Sequence, residues 1–191
     1  MATLSSIITP TNVLTDTSTS TLTNKTIAYS SNTLTGVAGT AASNTFTALQ
    51  TFSGSTSVAS TKLTNAKEVV TVSATAATGT INYDVTTQSV LYYTSNASAN
   101  WTVNFRGSSG TSLNTLMSTG ESMTVAFLVT QGSTAYYNNA VQVDGSSVTP
   151  KYQGGTAWAA GNASSIDAYT YTIVKTGNAA FTVFAAQTKF A

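Results

Sequence analysis

Trp101-Thr102-Val103-Asn104-Phe105-Arg106 and Tyr169-Thr170-Tyr171-Thr172-Ile173 alternate large apolar residues with polar ones, position by position. A pleated strand turns successive side chains to opposite faces, so each stretch predicts a strand with one apolar and one polar side. Working outward from these two, the chain beyond about Lys67 is written in two vocabularies. Threonine, valine and the aromatics, whose branched or flat side chains suit a pleated surface, fill short runs. Glycine, asparagine and serine punctuate them, because they accept turn conformations or bond their own backbone. The runs predict strands over 68–73, 80–85, 89–94, 101–106, 122–130, 135–143, 147–153, 169–176 and 180–188. Met123 to Val129 is more uniformly apolar and predicts a central strand covered on both sides. Leu113 to Ser118 is the one stretch with room for a helical turn.

Closely spaced short strands with marked turns predict an all-β domain over residues 66–191, an antiparallel β-sandwich of jelly-roll type. Such a sheet has edges that proteins usually guard with charge or proline. Here only 7% of residues are charged and the prolines are Pro10 and Pro150. The edges are therefore expected to be covered by partner subunits or by the first part of the chain.

Residues 1–65 read differently. Before Lys62 the only charges are Asp16 and Lys25, and the only aromatic rings are Tyr29, Phe46 and Phe52. Serine and threonine dominate, and Ser31-Asn32-Thr33-Leu34-Thr35 returns as Ser43-Asn44-Thr45-Phe46-Thr47. Too few large apolar side chains are present to close a core, yet the alternation is regular. The segment reads as an extended attachment arm or trimeric shaft, with Leu22, Asn24, Ile27, Phe46, Leu49 and Phe52 as its assembly residues. Isolated strands of this kind are marginal in water, so the arm either pairs with copies of itself about an axis or lies along another protein.

Composition excludes several classes of chemistry. Histidine and cysteine are absent, which removes His-based triads, His- or thiolate-ligated metals and disulfides together. The net charge is +1 and the seven basic residues are scattered, which speaks against a nucleic-acid partner. No stretch is apolar for long enough to span a membrane, and no secretory leader is visible, so a soluble product made in a cytoplasm is expected. The six acids, Asp16, Glu68, Asp84, Glu121, Asp144 and Asp167, stand far apart, which reads as turn acids rather than as a facing catalytic pair. Asp144-Gly145 reads as a hairpin turn ahead of a calcium loop. No cofactor is expected.

The aromatic residues leave two readings open. Tyr136-Tyr137 beside Asn138-Asn139, together with Trp158 in a glycine- and alanine-rich loop, mix rings with amides as a glycan-contacting surface does. The favoured reading is that Trp158 closes one end of the sandwich and one of the two tyrosines points inward.

Thr21-Leu22-Thr23-Asn24-Lys25-Thr26-Ile27 resembles a motif that recurs in tail fibres and fibre-like virion proteins of tailed bacteriophages. Asn44-Thr45-Phe46-Thr47-Ala48-Leu49-Gln50-Thr51-Phe52-Ser53-Gly54 resembles the shaft element that often follows it. Lys151 to Thr156, Gly161 to Asp167 and Tyr169 to Ile173 are similar to β-domains in structural proteins of marine phages, particularly those of cyanobacteria. The resemblance implies a non-enzymatic, usually homotrimeric building block of the virion, held to other tail or capsid proteins through its first residues. The chain is shorter than a receptor-reaching fibre, which leaves room for a short tail, neck or capsid fibre-like protein. A capsid decoration or cement protein and a head domain that binds host-surface glycan are the alternatives.

Overall fold

In the computed structural model, which describes residues 66–191, the alternating stretches are strands. They are β1 (Val70–Ala76), β2 (Gly79–Asp84), β3 (Val90–Ser95), β4 (Trp101–Arg106), β5 (Ser122–Thr130), β6 (Asn138–Val143), β7 (Ser146–Val148), β8 (Lys151–Tyr152), β9 (Ile166–Gly177) and β10 (Ala180–Phe190). The helical turn falls where it is predicted, as α1 (Leu113–Leu116), and a 3₁₀ turn spans Gln153–Gly155. The predicted strand over 147–153 is two strands, because Pro150 interrupts it and has no N–H to give a ladder. Ala135 to Tyr137 are loop rather than strand. There the Gln131 amide takes the place of a neighbouring strand: its Oε1 accepts from the Tyr136 N–H at 3.0 Å and its Nε2 donates to the Tyr136 carbonyl at 2.7 Å.

The strands make two sheets, one in the order β1-β3-β5-β9-β10-β8 and the other β2-β4-β6-β7. The all-β expectation holds for the described residues, and the antiparallel one is corrected. The chain alternates between sheets through its first six strands, so that β1, β3 and β5 run parallel in one sheet and β2, β4 and β6 run parallel in the other. Antiparallel pairing begins only with β5 on β9, β9 on β10 and β6 on β7. The reason lies in the links. Between β1 and β2, and between β3 and β4, the chain crosses to the opposite sheet instead of folding back, and the two crossings are tied where the Ser98 N–H donates to the Ala77 carbonyl at 3.1 Å. A turn signal announces the end of a strand, but not which sheet receives the next one.

The inner faces share one core. Ile81, Tyr83, Trp101, Val103, Phe105, Val141 and Val143 come from the four-stranded sheet, and Leu91, Val125, Phe127, Val129, Tyr169, Tyr171, Ile173 and Val183 from the six-stranded one. Rings interlock across the gap edge to face, Trp101 on Tyr169 at 5.5 Å and Phe105 on Tyr171 at 4.9 Å between centroids. Pairs of this kind contribute about 1 kcal/mol each beyond their buried area. The Tyr171 hydroxyl donates to Asn138 Oδ1 at 2.9 Å, so a fully buried polar group crosses the core with its partner in place.

β5 lies between β3 and β9, as its apolar run predicts, but the core covers only one of its faces. Val125, Phe127 and Val129 are buried, whereas Ala126 and Leu128 point to the other side and stay half-exposed.

Candidate assembly surface

The register fixes what the outer face of the six-stranded sheet carries. One row across it reads Val70, Val90, Ala126, Thr170, Ala186, and the next reads Val72, Tyr92, Leu128, Ala168, Thr188. Thr130, Ile166 and Phe190 continue the face at one end, and Thr124, Thr172 and Phe184 at the other. Within these strands Lys151, on the two-residue edge strand β8 beside Phe184, is the single charged residue that shares the face. Val70 and Val72 are 49% and 64% exposed, and Phe184 and Phe190 are 50% and 53% exposed. These four are most of the exposed large apolar residues among those described, and they gather on one surface. Two shallow depressions open on it, one of about 480 Å³ beside Lys151, Thr172 and Phe184, the other of about 540 Å³ beside Thr130, Ile166 and Phe190.

The four-stranded sheet presents the opposite chemistry. Its outer rows read Asn82, Asn104, Gln142 and Asp84, Arg106. Asn104 Nδ2 donates to Asn82 Oδ1 at 2.8 Å, Asn104 Oδ1 accepts from the Gly145 N–H at 2.8 Å, and Arg106 pairs with Asp84. Amides and charges that bond one another along a sheet make a surface content in water.

Each of the five acids in the described residues is engaged by at least one donor of the same domain. Asp144 is the clearest case. With Gly145 it makes the β6–β7 hairpin turn at φ 50° and 79°, the left-handed pair that such a turn needs. Its carboxylate also accepts from the Leu113 and Asn114 N–H groups at 2.6 and 2.9 Å, capping α1 from a distant part of the chain. Both of its oxygens are spent on the backbone. Glu121 accepts from the Ser118 N–H and Glu68 from the Ser89 hydroxyl. Lys175 is buried and donates to the Met117 carbonyl at 2.8 Å at the other end of α1. Asp167 is fully buried: one oxygen accepts from Gln131 Nε2 and the Asn162 N–H, both at 3.0 Å, and the other has no partner among the described residues. Burial pushes its carboxyl above the usual range, against the opposing pull of these donors and of Lys189. No cluster of three or more candidate metal ligands occurs among the described residues, and none of their helices is long and apolar enough to cross a membrane.

Trp158 packs inward at half-burial. Its ring meets Tyr152 at 4.8 Å and Tyr169 at 5.2 Å, and its indole N–H donates to the Asn138 carbonyl. Its outer edge borders a small open depression of about 190 Å³ with Gln153, Thr156 and Gln187. Tyr136 and Tyr137 are half-buried against the core and do not line that depression. Leu22, Asn24, Ile27, Phe46, Leu49 and Phe52 lie outside the described residues.

Sequence reasoning passed over the outer face of the six-stranded sheet. Its signals were present: the uniform run Met123 to Val129, and Val69-Val70 with Val72 at the start of β1. Both indicate strands with apolar residues on each side, which the core alone does not explain. Compared with protein-family models, with curated proteins and with solved structures, the chain matches none. What the geometry itself defines, over residues 66–191, is an all-β domain of two mixed sheets with one polar and one nearly charge-free outer face.

Proposed function

We propose that the chain is a non-enzymatic structural component of a tailed-phage virion, a short tail, neck or capsid fibre-like protein that forms a homotrimer and attaches through residues 1–65. The reading rests on one observation, the order of elements along the chain. The charge-poor segment with Thr21 to Ile27 and Asn44 to Gly54 precedes a β-rich domain, as attachment segments precede heads in the proteins it resembles. The local engagement of Asp84, Asp144 and Glu121 supports a structural rather than a catalytic use of the acids. A surface apolar on one side and amide-rich on the other suits a subunit that packs on one face and meets water on the other.

The test is placement on particles. Antibody raised against residues 66–191 and coupled to gold is applied to purified particles of a tailed phage whose genome encodes this chain, and electron microscopy locates the label. Label on tail, neck or capsid is expected, and the place distinguishes a fibre from a decoration protein. Intact particles that never carry the protein would overturn the reading.

A further inference from the structure

We propose that the outer face of the six-stranded sheet is an interface between copies of this chain, with a second copy as its occupant. The face is broad, shallow and almost without charge. Val70, Val72 and Val90 lie toward one edge, Phe184 toward the other, and the small residues Ala126, Ala168, Thr170 and Ala186 between. A partner selected by charge finds nothing to read there except Lys151 at the rim. A second copy brings the same uncharged mixture of aliphatic, aromatic and hydroxyl groups. Like meets like without burying a charge, and the Thr124 and Thr172 hydroxyls already bond each other at 2.9 Å.

Size supports this occupant. Five strands spaced about 4.8 Å apart, each of about six residues at about 3.3 Å, give a footprint of about 500 Å² per copy. Two copies together remove about 1,000 Å² before side-chain relief is counted, the area that a specific interface has to reach. The bulky residues and the depressions give that relief. Phe184 and Phe190 stand beside hollows that a neighbouring copy can fill, as facing sheets do when they pack about 10 Å apart. The edge strand β1 adds a reason. It contains no charged residue and no proline, so an uncovered β1 edge beside exposed Val70 and Val72 is an aggregation template. A second copy packed on this face buries the Val70 and Val72 side chains that make the edge adhesive.

The inference rests on the reading of the chain as an assembly protein and names a surface for it. The experiment is solution mass by sedimentation velocity over a concentration series of the full chain. Wild type is compared with the double variant Val72→Lys/Phe184→Glu, with Thr170→Lys, and with Ala140→Lys on the four-stranded outer face. The three positions on the proposed interface are exposed, and so is Ala140. Circular dichroism checks that each variant is folded. An oligomeric wild type is expected, with dissociation strengthened at least 100-fold in the double variant and at least 10-fold in Thr170→Lys, and no change in Ala140→Lys. If the double variant does not fold, Thr170→Lys decides. A wild type that stays monomeric at every concentration overturns the proposal. So does an oligomer indifferent to the face variants, which would assign cohesion elsewhere while leaving the virion reading to be judged by particle labelling.

Discussion

The two outer faces of the described domain come from sheets that share one core, yet they solve the exposed half of the pleat in opposite ways. On the four-stranded sheet, Asn82, Asn104, Gln142, Asp84 and Arg106 stand between the core positions of their strands, and several bond one another across the register. On the six-stranded sheet the same positions hold Val70, Val72, Val90, Tyr92, Leu128 and Phe184. The difference teaches that alternation reports only the buried side of a strand. What the other side is for is written in the residues that alternation leaves over.

The largest effect should come from breaking the polar face. Asn104 is only 8% exposed, and Asn104→Ala removes both its bond to Asn82 and the bond it accepts from the N–H of Gly145 in the exposed turn. Two lost hydrogen bonds are expected to cost about 1 to 2 kcal/mol, read as a fall in the urea midpoint with an unchanged slope. A cost under about 0.5 kcal/mol, the range of an ordinary surface change, would mean that the amide network is decoration and would erase the contrast between the faces.

Much of this architecture was readable beforehand, and the misses share one cause. Trp101–Arg106, Ser122–Thr130 and the α1 turn fall at or within their predicted bounds, because local alternation and local turn residues determine them. Parallel pairing was not readable, because the register of β1 with β3 depends on where a link crosses and on what Ala77 and Ser98 meet there. The same holds for Asp144, whose turn role with Gly145 is local and legible, while its grip on the Leu113 and Asn114 N–H groups spans about thirty residues. The outer face was half legible. Met123 to Val129 announced two apolar sides, but only the register of five strands showed that neighbouring strands extend that second side into a surface.

Asp167 sharpens the comparison from inside. It belongs to β9 of the six-stranded sheet, and one of its oxygens has no partner among the described residues, unlike the satisfied amides on the other sheet. Its folded carboxyl holds its proton to higher pH than the unfolded group, whose pKa is about 3.9. For an acid raised in this way, stability is present below the unfolded pKa and is lost as pH rises through the folded one. Asp167→Asn keeps an oxygen for the Gln131 and Asn162 donors and removes the titration. Urea unfolding at steps from pH 4 to pH 7 should therefore show the variant gaining on wild type as pH rises. A variant that loses ground over that range would mean the ionised carboxylate is the favoured form and that its second oxygen is satisfied after all.

The smallest effect belongs to the apolar face, and its dependence on concentration carries the information. Val72 is 64% exposed at the sheet edge, so Val72→Thr changes little in an isolated chain, within about 0.5 kcal/mol. If the face is covered by another copy, folding is linked to association, and mass action raises the apparent stability of the wild type with protein concentration. The hydroxyl then weakens a contact that counts only in the assembly. Melting curves at micromolar and at near-millimolar protein should separate the two chains more at the higher concentration. Equal separation at both would leave Val72 an exposed valine on a face with no neighbour, and the two outer faces would differ in composition without differing in use.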